Sequence, residues 1–267
     1  MDERGVPPEV DRTVPSIARV YDYVLGGKQN FAVDRSAGDA LLRAVPDTQI
    51  LAQDNRALLR RVVRHLVGDA GVRQILDIGS GLPTNGNVHE VAREIAPETR
   101  VVYVDRDPMV LTHARALLAD DERTEVITAD VRDPAAIFDD PVTTRLIDFT
   151  TPVAVLISGV LHHFADADEP AGVAGAVIER VPSGGYVFIS NFLDDDEPRA
   201  KALEHAFLDG GLGTGRFRTW EEQRAFYTGL ELIEPGLVYA NDWRPDPKTP
   251  AHSPAHTLLA GAVGRRV

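Results

Sequence analysis

The run Leu76-Asp77-Ile78-Gly79-Ser80-Gly81-Leu82-Pro83 sets two glycines one residue apart behind an apolar stretch. Glycines at the end of a strand permit a positive φ and let a ligand approach the main chain closely. Two ligand classes use such a loop. A dinucleotide needs Gly-x-Gly-x-x-Gly, with its pyrophosphate resting on the amides of the following helix. Here Thr84 holds the third glycine position, and Pro83 removes an amide. That departure counts against NAD. It fits a nucleoside ligand without phosphate, whose amino-acid end needs only a close backbone. Asp77 offers a carboxylate to an ammonium group, directly or through water. A tight turn is the alternative reading of a lone Gly-x-Gly.

Two further acids fall where strands should end. Asp105 follows Val101-Val102-Tyr103-Val104. A carboxylate there can accept both ribose hydroxyls and repels a 2′-phosphate. Asp130 follows Ile127-Thr128-Ala129 and can accept from an adenine amino group, with Val131 supplying an amide and an apolar contact. A helix cap or a solvated loop acid is the competing reading, and it suits Asp107 and Asp133, which precede prolines. Three acidic strand ends together point to a nucleoside site. After the fourth strand comes Ser158-Gly159-Val160-Leu161-His162-His163-Phe164. Gly159 suits a close approach, and His163 or His162 can act as a general base near neutral pH. The alternatives are a ring stacked on a cofactor and a histidine held by a carbonyl. Adjacent histidines rarely aim at one ion and no third ligand has suggestive spacing, so no metal is expected.

Alternating elements must position these residues. Short apolar runs recur at 74–78, 100–104, 125–128, 153–157 and 186–190, with helical segments between. Asp107-Pro108 and Asp133-Pro134 open helices with a cap and a proline in the first turn. A helix over 197–208 and a capping box at Thr219-Trp220-Glu221-Glu222 follow. The C-terminal part adds strands at 230–233, or extended to 239, and at 256–263. Such alternation implies a doubly wound α/β fold with a mostly parallel sheet. Upstream, residues 1–14 read as a mobile tail. Helices are expected over 16–25, 36–45 and from Pro46-Asp47 to about 67, forming a cap or lid over 15–70, with the α/β domain over 71–267.

Composition narrows the function. The 267 residues carry no cysteine, which removes disulfides, thiolate zinc sites and cysteine nucleophiles. The net charge of −13 disfavours nucleic acid and anionic lipid as partners. No apolar run approaches the roughly 20 residues of a spanning helix. A cytoplasmic protein with a small-molecule substrate is expected; nothing bears on its oligomeric state.

The stretch over 73–192 resembles class I S-adenosylmethionine-dependent methyltransferases. The N-terminal stretch from Pro15 to Arg35, with Tyr21-Asp22-Tyr23 and Gly26-Gly27-Lys28-Gln29-Asn30-Phe31, resembles a bacterial family first catalogued as a domain of unknown function and later named S-adenosyl methyltransferase. The segments 229–237 and 243–245 resemble its C-terminal half. The resemblance implies a Rossmann-like, seven-stranded sheet with an antiparallel last strand. It implies S-adenosyl-L-methionine as cofactor and S-adenosyl-L-homocysteine as product, and leaves the methyl acceptor open. The residues expected at the cofactor are Tyr21, Gly27, Asn30, Asp77, Gly79, Ser80 and Gly81, Asp105 with Arg106 and Met109, Asp130, Val131, Ser158, Gly159 and His163. A sensor that binds the same cofactor without methyl transfer is the competing function. An NAD oxidoreductase is disfavoured by Thr84.

Overall fold

The computed structural model describes residues 10–83, 86–118, 121–213 and 215–267. Thr84 therefore lies outside the described residues. Three helices come first: α1 (Ile17–Val24), α2 (Ala32–Ala44) and α3 (Thr48–Arg64), the last prolonged by a π-helical turn at His65–Asp69. The chain then alternates through β1 (Gln74–Ile78), α4 (Val88–Arg93), β2 (Arg100–Asp105), α5 (Pro108–Leu117), β3 (Thr124–Thr128), α6 (Pro134–Phe138), α7 (Pro141–Leu146), β4 (Ala154–Ser158), α8 (Pro170–Arg180) and β5 (Tyr186–Phe192). It ends with α9 (Pro198–Asp209), α10 (Trp220–Arg224), β6 (Glu231–Leu232), β7 (Val238–Tyr239) and β8 (Leu259–Arg265).

Local chemistry sets the helix starts. Asp107 accepts from the Met109 amide and Asp133 from the Ala136 amide, each with proline in the first turn. Thr219 and Glu222 close their capping box. The helix expected over 36–45 begins earlier, at Ala32, because Asp34 reaches back to the Phe31 amide at 2.8 Å.

The sheet order is β3-β2-β1-β4-β5-β8-β6, with β7 also on β8. Strands β1 to β5 pair in parallel, and β8 runs antiparallel to β5. Among the described residues the sheet has eight strands rather than the expected seven. The strand expected over 230–233, or extended to 239, is two short strands separated by a turn, in which the Gly236 amide donates to the Ile233 carbonyl at 2.8 Å. Strand β6 pairs at Arg265 and Gly264, and β7 at Gly261 and Ala260, so the two halves share one edge of β8.

Alternate residues of each strand face opposite layers. Ile75, Val101, Leu156 and Phe188 pack with Leu41, Leu51, Leu58 and Val62 of α2 and α3. Leu76, Val102, Val155 and Val187 pack with Ile137, Phe138, Val177 and Phe226. Helix α3, expected within a cap, thus covers a sheet face. Its Arg61 is buried and donates to the Ala240 and Trp243 carbonyls at 2.6 and 3.1 Å. Of the segment read as a tail, residues 10–14 lie against the body: Val10 is buried beside Leu82 and Met109. Among the described residues, no helix is long and apolar enough to cross a membrane.

Candidate functional site

Every acid and glycine singled out after a strand lies at the carboxyl end of the parallel sheet, where doubly wound folds bind ligands. The glycine loop wraps around the end of β2. The amides of Gly79 and Ser80 both donate to the Val104 carbonyl, at 2.8 and 3.2 Å. The Gly81 amide donates to Asp105 Oδ2 at 2.8 Å, and the other Asp105 oxygen accepts from the Asp107 amide at 2.9 Å. Gly79 has φ 72°. A Cβ there would stand 2.4 Å from Val160 Cγ2, so both conformation and space demand glycine. At Gly81, φ is 67° and a Cβ would meet nothing within 4 Å. That glycine is set by conformation and faces open volume.

Asp77 is buried, and burial pushes its carboxyl up from the ordinary 3.8 to about 7, against the pull of the Arg56 guanidinium. Burial also raises Asp105, with its backbone hydrogen bonds opposing. Asp130 is different. Its carboxylate is lowered, chiefly by Arg132, which forks onto it at 3.0 and 2.6 Å and adds its amide at 2.9 Å.

The ends of β4 and β5 are tied together by α3. Asn55 Oδ1 accepts from Ser190 Oγ at 2.7 Å and from Ser158 Oγ at 3.3 Å, while the Gly159 amide donates to the Ser190 carbonyl at 2.8 Å. The two histidines then differ in protonation. His163 Nδ1 lies 3.2 Å from the Leu212 carbonyl, which can only accept. Nδ1 therefore carries the proton and Nε2 keeps a basic lone pair. Burial lowers its pKa to about 4, so the ring is neutral at pH 7. His162 Nδ1 accepts from the Phe192 amide at 3.4 Å, which puts its proton on Nε2, a buried atom without a hydrogen-bond partner. Its ring stacks on Phe192 with centroids 4.2 Å apart.

These groups surround one cavity of about 440 Å³. Tyr21, Asp77, Gly79, Ser80, Gly81, Asp105, Arg106, Asp130, Val131, Ser158, Gly159, His162 and His163 all line it. Gly27, Asn30 and Met109 are not among the lining residues. Met109 is buried in a small cluster with Val10, Leu82 and Val110. Gly27 and Asn30 serve Asp22 instead. Asp22 Oδ2 accepts from the Gln29 amide at 2.8 Å and from Asn30 Nδ2 at 2.9 Å. A Cβ on Gly27 would stand 2.0 Å from Asp22 Oδ1. The glycine-rich stretch 26–31, inside the expected cap or lid over 15–70, is thus a loop folded on its own buried acid. Among the described residues, no group of three or more His, Asp or Glu side chains could hold a metal ion.

Residues 3–267 match the family model described as S-adenosyl methyltransferase. The chain belongs to that family. Two solved relatives cover nearly all of it. A protein from Thermobifida fusca, described as a candidate methyltransferase, is 45% identical over 97% of this chain and 98% of its own, with a TM-score of 0.92. A DUF574 family protein from Streptomyces avermitilis is 39% identical over 96% of this chain and 99% of its own, with a TM-score of 0.91. The 3-hydroxy-5-methyl-1-naphthoate 3-O-methyltransferase of Streptomyces sahachiroi is 27% identical over 206 residues, 71% of this chain. The chain spans about half of that relative's length, 52%.

Several residues of the site carried no signal in the sequence. Asn55 and Arg56 sit inside a regular amphipathic helix, and only the placement of α3 over the sheet ends brings them to the cavity. Residues 10–16 form another wall. Arg19 holds them, donating to the Val14 carbonyl at 2.7 Å and to Asp34 Oδ2 at 2.9 Å. Ser16 Oγ reaches Asp107, and its amide donates to Asp34 Oδ1 at 3.0 Å. Residues 10–19 thus border the cavity.

Proposed function

We propose that this chain transfers a methyl group from S-adenosyl-L-methionine to a small-molecule acceptor, leaving S-adenosyl-L-homocysteine. One observation carries the reading. A buried carboxyl, raised to about 7, lies beside a glycine loop whose first three amides are already engaged within the fold. Such a site favours a cationic ligand, which restores the ionised acid, and offers those amides to no phosphate. The residues present fit the cofactor. Asp77 suits its ammonium, Asp105 its ribose hydroxyls, and Asp130 with Val131 its adenine. The free face of Gly81 leaves room for a close approach.

When bound, the cofactor supplies a methyl already activated by the sulfonium charge. The protein aligns the acceptor and excludes water. Residues 10–19 and α1 cover the cavity, with the Tyr21 hydroxyl fixed on the Ala52 carbonyl at 3.0 Å. His163 Nε2 is the basic atom positioned to take a proton from an acceptor hydroxyl, while Nδ1 stays on Leu212. His162 shapes the wall through its stack on Phe192. A covered cavity of about 440 Å³, in the range that takes drug-sized ligands, supports a small acceptor. The naphthoate substrate of the Streptomyces sahachiroi relative agrees with that class.

Thermal unfolding with S-adenosylmethionine, S-adenosylhomocysteine and NAD tests the reading. Ligand at about 100 times its Kd adds about 2.7 kcal/mol, a rise of ~5–10 °C for a chain of this size. The first two ligands should give it and NAD should not. Stabilisation by NAD alone refutes the proposal. Formation of a methylated product from a hydroxyarene panel separates the enzyme from a cofactor sensor.

A further inference from the structure

The cavity runs along the carboxyl edge of the sheet, and its chemistry changes from one end to the other. Asp130, Asp105 and Asp77 mark the ends of β3, β2 and β1. At the ends of β4 and β5 the wall is made of Ser158, Gly159 and Phe192, with no charged residue among those described. Neighbouring strands lie about 4.8 Å apart, so the end of β5 stands about 10 Å from that of β1. The polar groups of this half are engaged with one another: Asn55 and Ser158 both bond to Ser190 or to each other. The Arg106 guanidinium, whose charge reaches His163, is exposed and paired with Asp130 at 3.9 Å. Phe207 and Leu212 complete the wall, and Phe207 is the one residue of α9 in it among those described. The Phe207 ring meets His163 with centroids 5.4 Å apart at 63°, and Phe192 at 5.9 Å and 56°. Phe192 is buried, whereas Phe207 is only half-buried.

We propose that this half takes the methyl acceptor as a flat hydroxyarene with no charge flanking its reacting hydroxyl, and that Phe207 is the residue that selects for the ring. This rests on the S-adenosylmethionine reading above. A carboxylate or ammonium next to the reacting hydroxyl would give up its water with no charged partner in the wall, a cost that an uncharged ring avoids. Aromatic rings favour offset or edge-to-face contacts with centroids roughly 4.5–7 Å apart, the range in which Phe207, Phe192 and His163 already meet. A further ring against the open side of Phe207 extends that cluster, and a saturated ring of the same size gains only the apolar contact. The hydroxyl of such a ligand is the polar group that His163 Nε2, the basic atom of this half, is suited to meet.

Titration calorimetry on protein saturated with S-adenosylhomocysteine tests this without turnover. The probes are 2-naphthol, decahydro-2-naphthol, which keeps the size and the hydroxyl without the aromatic ring, and 3-hydroxy-2-naphthoate, whose carboxylate must enter beside the hydroxyl. Wild-type protein should bind 2-naphthol about 5- to 20-fold tighter than the saturated alcohol, the range of one or two ring contacts, and at least about tenfold tighter than the hydroxynaphthoate. Phe207→Leu should lower the first ratio by about 3- to 10-fold and leave S-adenosylhomocysteine affinity unchanged, while Phe207→Tyr, which keeps the ring, should keep the ratio. A wild-type first ratio near one, or a hydroxynaphthoate bound as tightly as 2-naphthol, overturns the substrate class, and so does saturated protein that fails to bind 2-naphthol. A wild-type ratio preserved in Phe207→Leu overturns the role of Phe207. Should Phe207→Leu fail to fold, Phe207→Met decides by the same ratio. Wild-type protein that does not bind S-adenosylhomocysteine at all refutes the cofactor reading itself.

Discussion

Replacing Asp77 by asparagine should separate stability from binding. Asp77 is buried with its pKa raised from 3.8 to about 7. In the unfolded chain it loses its proton near 3.8, whereas in the folded protein it keeps it to about 7. The folded state thus binds more protons between these values, and this group's contribution to stability falls as pH rises from about 4 to about 7. The full difference is worth about 4 kcal/mol at pH 8, an upper value for a group that Arg56 partly compensates. Asparagine has the same shape and no charge to bury. Without ligand, Asp77→Asn should therefore be as stable as wild type at pH 4 and more stable at pH 8, with the gain read from urea unfolding at both pH values. Binding should move the other way. Loss of a charge-assisted hydrogen bond to the ligand ammonium costs about 1.5–3 kcal/mol, or about 10- to 150-fold in affinity for S-adenosylhomocysteine. Wild-type affinity should itself rise about tenfold per pH unit below 7 and level off above it, because binding selects the ionised acid. A variant that loses stability at pH 8 would make Asp77 a structural acid. Unchanged affinity would remove it from the ligand site.

Four further outcomes follow from the geometry. His163→Gln should lower kcat by about 10²- to 10⁴-fold while S-adenosylhomocysteine affinity in calorimetry stays within about threefold. The acid limb of the wild-type kcat/KM profile should lie near the lowered His163 pKa of about 4, and a limb at 6.5 would show that another group is titrating. Gly79→Ala should cost more than Gly81→Ala in urea unfolding, about 3 against about 1 kcal/mol, because only the former adds a clash with Val160 to the backbone strain. Arg19→Ala should cost about 3–5 kcal/mol by stranding the fully buried Asp34, and the double variant Arg19→Met with Asp34→Asn should recover part of it, because it removes the stranded charge and keeps an acceptor for the Ser16 or Phe31 amide. A double variant no more stable than Arg19→Ala would place the role of Arg19 in its carbonyl contacts at residues 11 and 14.

Much of the site was legible because its parts are local. Asp77, Asp105 and Asp130 each end an apolar run, and a parallel sheet brings successive strand ends to one edge whatever lies between them. Asp107 and Asp133 declared themselves as caps by the prolines behind them. Gly27 and Asn30 misled for the same reason: a polar glycine loop looks alike whether it folds over a ligand or, as here, over Asp22. Met109 was misplaced because the first turn of α5 carries it away from the cavity, into the small cluster with Val10.

The sequence by itself determined the element order, the fold family and the three acids at the strand ends, since periodicity, caps and strand-end chemistry act over a few residues. Only the tertiary structure decided which nitrogen of each histidine holds the proton, because the Leu212 carbonyl and the Phe192 amide that settle it lie 49 and 30 residues away. It also decided that α3 faces the sheet ends with Asn55 and Arg56, and that residues 10–19 cover the cavity. Those placements come from burial of Leu51, Leu58 and Val62 against the sheet and from the Arg19–Asp34 pair. Such long-range packing leaves no periodic mark on the residues it brings to a site.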